Sequence, residues 1–175
     1  MISQEEIQKM HCGLWRTPLL DAAKVMPQIK DILFSLKDIA EFSLSDYVVD
    51  VKVHMLMPKQ YPCIPNWHYN MVPRDSNNKQ DFSRVSNDLM YLWVSNAPVT
   101  QFKYSSDYTD SYGFIKAQTW IPFGQKELHR GTQSDSHIWR IFIRACPNSI
   151  LKPNPEEKWL RRHSQVYLDP NSFTW

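Results

Sequence analysis

The chain has 175 residues and a formal net charge of +2, and it contains seven Trp, eight Tyr and eight Phe. This length suits one domain with a sizeable core, and so small a charge does not indicate nucleic acid as a partner. Three cysteines without a C-x-x-C spacing indicate neither a disulfide framework nor a zinc–thiolate site. The N-terminus is polar and acidic and no apolar run reaches the length of a membrane span, so we expect a cytoplasmic protein without membrane contact.

Residues 1–45 are predicted to be helical. Ser3 followed by two acidic residues indicates a helix N-terminus, with the helix continuing to about His11. From Met26 to Ile39, apolar residues recur at helical spacing, which predicts a second helix beginning near Asp21. Pro27 fits only in its first turn, or if residues 21–25 form a separate turn. The apolar stripe is interpreted as a face packed on a sheet, with a partner-binding helix as the alternative.

Residues 46–146 are predicted to be β-rich, and residues 147–175 to be irregular apart from helical turns over 156–163. The polar residues 74–87 predict a mobile loop that covers a site as a lid. Residues 105–113 predict a further turn or loop. In the first strand Val49, Val51 and Val53 share one face with Met55, which leaves His54 on the other face, at the surface or next to a site. The predicted strands are 47–57, 89–94, 99–103, 114–120 and 138–145, with a turn at 122–124 between the last two.

The first candidate site lies between Tyr61 and Asp75, a stretch that contains three prolines. Large and polar residues alternate there from Trp67, so His68 and Asn70 share one face. Two polar side chains on one face predict either a site facing a cavity or a hydrogen-bonded pair at a solvated strand end.

The second candidate site combines His129 with the strongest predicted strand, where Arg140 and Arg144 share a face with Phe142. A guanidinium group pairs bidentately with a carboxylate or phosphate. On an inward face the two arginines would form an anion-binding wall. On an outward face they would form a solvated edge.

Together the two stretches resemble the double-stranded β-helix (cupin-like jelly roll) of the iron(II) and 2-oxoglutarate-dependent oxygenases, over residues 47–146. That family carries a His-x-Asp or His-x-Glu pair on one strand, a distal His on a later strand and an Arg further along. The resemblance implies that His68, Asn70 and His129 hold the metal and that Arg140 or Arg144 binds the cosubstrate carboxylate. Asn70 stands where the family has its acid, and a neutral amide is a weaker metal ligand.

The resemblance implies a mainly β (α+β) fold, a double-stranded β-helix or jelly roll with the N-terminal helices packed outside, in a single domain over residues 1–175. Two functions remain open. The first is an oxygenase-like enzyme that uses iron(II) or another divalent metal and 2-oxoglutarate, or a degenerate descendant that uses neither. The second is a non-catalytic binding or inhibitor module that captures a small anion or another protein. The ligand-binding residues expected besides the two arginines are Trp67, Tyr69, Arg74 and Trp93.

Other enzyme classes are less well supported. The sequence has no Gly-rich phosphate loop, no G-x-S-x-G and no H-E-x-x-H motif. A pair of histidines suits acid–base cleavage of a phosphodiester, but no repeated His-x-Thr spacing supports that reaction here. Asp75, Asp81 and Glu127 are the acids that could replace the missing metal-binding carboxylate.

Overall fold

The computed structural model describes residues 2–10, 12–96, 99–105, 110–162 and 166–168. The α-helices are α1 (Gln4–Gln8), α2 (Leu19–Val25) and α3 (Lys30–Ser35), and the 3-10 turns are Pro27–Ile29, Leu36–Asp38, Leu44–Asp46 and Phe82–Arg84. The strands are β1 (Gly13–Pro18), β2 (Tyr47–Leu56), β3 (Gln60–Tyr61), β4 (Met90–Val94), β5 (Thr100–Ser105), β6 (Asp110–Phe114), β7 (Ile121–Phe123), β8 (His129–Gly131), β9 (Ile138–Pro147), β10 (Leu160–Arg161) and β11 (Tyr167–Leu168). No helix in these ranges is long and apolar enough to cross a membrane.

The strands form two main antiparallel sheets. The larger has the order β10-β1-β2-β9-β4-β7, and the smaller has the order β6-β5-β8. A short segment at His68 extends the smaller sheet, because His68 forms an antiparallel bridge with His129 of β8. A separate two-stranded ribbon pairs β11 with β3.

The pairing is nested in the way that defines a jelly roll. β2 pairs with β9, the His68 segment with β8, β4 with β7, and β5 with β6. The first core strand therefore pairs with the last, the second with the second-last, and so on inward, as in one long antiparallel hairpin rolled into two sheets. The prediction of a mainly β, antiparallel jelly roll with helices outside is confirmed.

The two faces of the larger sheet have different partners. Val49 and Val51 of β2, with Ile141 and Ile143 of β9, belong to a core shared with the N-terminal helices. Side chains alternate along a strand, so the other face of β2 and β9 points toward the smaller sheet. His54 lies on that inner face and is buried. Of its two predicted positions, the one at the surface was therefore wrong, and the inner face leaves the one next to a site.

At the N-terminus the structure confirms one predicted element and corrects two. Ser3 and Glu6 form a capping box that begins α1, as the acidic first turn indicated. Residues 13–18 form a strand, because β1 adds to the larger sheet beside β2. A continuous second helix from Asp21 is corrected in favour of the other alternative, a separate element before Pro27: α2 ends at Val25, because proline has no N–H to continue a helix.

Further along the chain, three predictions about local structure were wrong. Residues 115–120 are irregular, and β6 and β7 lie on either side of them. Pro122 lies in the edge strand β7, where a missing N–H is tolerated. The predicted helical turns at 156–163 contain instead a turn and the short strand β10, and His163 lies outside the described residues.

A candidate anion-binding cavity between the sheets

A cavity of about 140 Å³ lies between the two sheets. The larger sheet contributes inward side chains from β2, β4, β7 and β9, and the smaller sheet contributes side chains from β5 and β8. The remaining wall comes from the proline-rich stretch and from β11. The lining residues are Asp50, Lys52, Cys63, Ile64, His68, Asn70, Leu92, Thr100, Phe123, His129, Phe142, Arg144 and Tyr167.

Arg144 is fixed at one end of the cavity by two side chains. It donates one hydrogen bond to Asn70 Oδ1 at 2.7 Å and another to Asp50 Oδ2. The second carboxylate oxygen of Asp50 accepts the backbone N–H of Arg16 at 2.8 Å. Because Asp50 and Arg144 are opposite each other in the β2–β9 register, the strand pairing itself builds this ion pair.

Two more cations face inward beside this pair. Lys52 lines the cavity with its Nζ 5.6 Å from the centroid of the Phe142 ring, and burial, aided by the charge of Arg144, lowers its pKa. Arg140 is fully buried and donates from Nη2 to Thr100 Oγ1 at 3.1 Å, while its Nε and Nη1 have no hydrogen-bond partner among the described residues. Burial lowers the pKa of Arg140 to about 10, so it stays charged at neutral pH.

The cavity therefore has an excess of positive charge. Lys52 and Arg144 line it and Arg140 lies behind Thr100, whereas Asp50 is the acidic residue among the lining side chains. A buried charge is costly unless it is paired. An anion in this cavity would supply the missing partner.

The two predicted site histidines meet at the smaller sheet. Their backbones exchange two hydrogen bonds of 3.0 Å, and their ring centroids are 4.3 Å apart. Nδ1 of His68 lies 2.8 Å from the carbonyl of Asn66, and Nδ1 of His129 lies 3.3 Å from the carbonyl of Glu127. A carbonyl only accepts, so Nδ1 carries the proton in each ring and Nε2 keeps a lone pair. Burial, with His68 and Arg144 nearby, lowers the pKa of His129 to about 4.

This donor set does not fit a facial metal triad. Such a site needs a carboxylate beside two imidazoles, and Asn70 already gives its amide oxygen to Arg144. Glu127 is turned away, because its Oε2 accepts the N–H of Gly124. Within the described ranges no three His, Cys, Asp or Glu side chains form a group that could hold a metal ion. The surrounding cations would also repel a divalent metal.

Two predicted ligand-binding aromatics lie outside the cavity. Trp93 is on the outer face of β4, in the core shared with the helices, whereas its neighbour Leu92 lines the cavity. Trp67 lies under Arg130, whose guanidinium carbon is 4.5 Å from its ring centroid. Because strand residues alternate, Trp67 points away from the cavity side that His68 occupies.

Tyr69 and Arg74 are also placed elsewhere, together with the predicted lid. Tyr69 packs edge-on against Phe82 at 4.8 Å, and Arg74 donates to the carbonyl of Asn78 at 2.5 Å. Residues 74–87 contribute no side chain to the cavity wall. Asp75 and Asp81, the acids considered as replacement ligands, instead bond backbone N–H groups within this loop.

The sequence did not single out several residues that line the cavity, chiefly Asp50, Lys52 and Thr100. Strand alternation placed Asp50 and Lys52 on the same face as His54, but of this face only His54 was considered, at the surface or next to a site. The pairing of β2 with β9 is the signal that could have found them. In neighbouring strands, the face of β2 that carries Asp50 and Lys52 must point the same way as the face of β9 that carries the two arginines.

Comparison with known proteins adds little at the level of sequence. No family model matches the chain, and no curated protein matches it. Among solved structures the chain is similar to vicilin from Corylus avellana (hazelnut), a cupin protein, with a TM-score of 0.36 and 8% identity. The match covers 72% of this chain and 27% of the vicilin chain, so the chain spans about a quarter of that protein.

Proposed function

We propose that the chain is a jelly-roll binding protein whose inter-sheet cavity captures a small carboxylate-bearing anion. The excess of positive charge in and behind the cavity wall, with no acidic partner for the buried Arg140 among the described residues, is the observation that carries this proposal. A guanidinium or ammonium group held in a low-dielectric interior binds a carboxylate more strongly than the same group in water.

The size of the cavity narrows the class of ligand. Sites for drug-sized molecules occupy roughly 300–1,000 Å³, and this cavity is well below that range at about 140 Å³. A short mono- or dicarboxylate suits this volume better than a nucleotide. Leu92, Phe123 and Phe142 supply apolar walls for a short carbon chain.

Calorimetric titration tests the proposal with 2-oxoglutarate, succinate and inorganic phosphate as probes. We expect wild-type protein to bind at least one of the two dicarboxylates more tightly than phosphate. Lys52→Met should weaken that binding by about tenfold or more, because it removes a cation from the wall. The exposed Lys126→Met is the matched control and should bind as wild type does. Absence of carboxylate binding to wild-type protein, or equal affinity in both variants, overturns the proposal.

The adjacent histidines are the observation behind a second candidate, the oxygenase-like enzyme of the resemblance: both line the cavity and each keeps a lone pair on Nε2, although the carboxylate of a facial triad is missing beside them. Asn70→Asp separates the two candidates. In an oxygenase it restores the missing carboxylate and should tighten binding of manganese(II), used as a redox-inert substitute for iron(II). In an anion-binding protein, the new carboxylate lies beside Arg144 and competes with the ligand for it. Dicarboxylate binding should then weaken about ten- to hundredfold.

A further inference from the structure

Lys52 lies between Arg140 and Arg144 on the inner face of β2 and β9. In the β2–β9 register it is opposite Phe142, so Arg140 and Arg144 are its two diagonal neighbours. Diagonal neighbours on one face of an antiparallel pair are about 7–8 Å apart, which long side chains can span. Lys52 therefore projects into the cavity between the two guanidinium groups.

The amine of Lys52 faces the ring of Phe142, 5.6 Å from its centroid, and takes no part in the polar contacts of the described residues. It has neither a hydrogen bond nor an ion pair with any residue that the structure describes. Asp50, the acid on the same face of β2, is engaged by Arg144 and by the backbone N–H of Arg16. Desolvation and a neighbouring cation favour the neutral amine, and a neutral amine is the nucleophilic form of lysine.

We propose that Lys52 is a nucleophile that forms an imine with a 2-oxo acid held in the cavity, an inference that rests on the proposed carboxylate-binding function. The nitrogen lone pair attacks the carbonyl carbon, forming a C–N bond, and the carbonyl oxygen takes up a proton. The nitrogen loses a proton, which gives a carbinolamine. Its hydroxyl group takes up a second proton and leaves as water while the nitrogen lone pair forms the C=N bond, and loss of the second N–H proton gives the imine. No oxidant or reductant takes part.

The wall geometry suits a carbonyl adjacent to a carboxylate. In a 2-oxo acid the reactive carbon is bonded directly to the carboxylate carbon. When Arg144, which lines the cavity, pairs with the carboxylate, the carbonyl carbon lies one bond from the anchored group and on the same face of the sheet as Lys52. A dicarboxylate without a carbonyl should bind but not react.

Reductive trapping tests the inference. Protein is incubated with 2-oxoglutarate, or with pyruvate, and cyanoborohydride near neutral pH, then analysed by intact mass and by peptide mapping. We expect one reduced adduct on Lys52 in wild type and in Lys126→Arg. Lys52→Arg keeps the positive charge but cannot form the imine, so it should give no adduct while still binding succinate. Succinate should give no adduct with any variant.

The outcomes separate this inference from the proposed function. If wild-type protein binds 2-oxoglutarate by calorimetry but no adduct forms on Lys52, the imine is overturned and the binding function stands. Adducts distributed evenly over exposed lysines also overturn it. If neither 2-oxoglutarate nor succinate binds, both proposals fail together. Retained succinate binding by Lys52→Arg shows that this variant is folded.

Discussion

Replacing Asp50 by Asn should destabilise the free protein and strengthen its binding of anions. Asp50 is the acidic counterion within the cavity wall, and its side chain is only 8% exposed beside an Arg144 that is 18% exposed. Breaking a buried ion pair by removing one charge costs roughly 3–5 kcal/mol, because the other charge is left uncompensated. The amide keeps one acceptor oxygen, for Arg144 or for the N–H of Arg16 but not for both, so we take the lower end of that range as the minimum loss.

A loss of about 3 kcal/mol corresponds to a fall in Tm of about 6–12 °C for a chain of this size. Differential scanning fluorimetry measures this shift, with the exposed Asp38→Asn as the matched control, which should leave Tm unchanged. A dicarboxylate present at about 100 times its Kd should return about 2.7 kcal/mol to Asp50→Asn, since the ligand binds the folded state alone.

The ligand should also bind Asp50→Asn more tightly than wild type, because no internal carboxylate then competes for Arg144. Calorimetry with succinate measures this affinity. Lower or unchanged affinity in a variant that remains folded would show that Arg144 does not contribute to an anion site, and the reasoning would be wrong.

Three further predictions concern stability and the cavity wall. Burial lowers the pKa of His129 to about 4 in the folded protein, compared with 6.5 in the unfolded chain. As the pH falls, the unfolded state therefore takes up a proton on this histidine before the folded state does. Stability should therefore fall by about 3 kcal/mol as pH drops from 6.5 to 4, and urea unfolding of His129→Gln should show a correspondingly flatter profile. Arg140→Met removes a buried charge that has no acidic partner among the described residues, so we expect a Tm equal to or above wild type together with weaker dicarboxylate binding. A lower Tm would contradict this expectation. Gly131→Ala would place a Cβ 2.7 Å from the Cys63 carbonyl oxygen, so it should cost about 1–3 kcal/mol in urea unfolding, whereas Gly113→Ala, with 3.6 Å to its nearest neighbour, should not show this steric loss.

Much of the fold follows from strand periodicity in the sequence. Alternation from Tyr47 to Leu56 and from Ile138 to Ala145 predicted the two central strands and their two faces, and the structure pairs them residue by residue. Two short strands, β1 between β10 and β2 and β7 at the edge of the sheet, were missed because their residues carry no clear alternation. Their strand conformation depends on pairing with longer neighbours, which is tertiary information.

The sequence predicted some residues of the cavity and missed others, because the position of the missed residues depends on which face of β2 is covered. The resemblance brought His68, Asn70 and His129 together, and the structure places all three on the wall of one cavity. Whether a polar face is inside or outside depends on what covers the opposite face, and here the N-terminal helices cover the valine face of β2. The local pattern around Lys52 contains no information about that covering.

Dicarboxylate binding in the absence of metal tests the central claim most directly. Wild-type protein is treated with chelator, and its affinity for 2-oxoglutarate is measured by calorimetry with and without added manganese(II). A cavity that uses Lys52, Arg140 and Arg144 should bind the dicarboxylate without metal, more weakly as salt rises, and with an affinity that manganese(II) leaves unchanged. Binding that occurs only when manganese(II) is present would contradict this account.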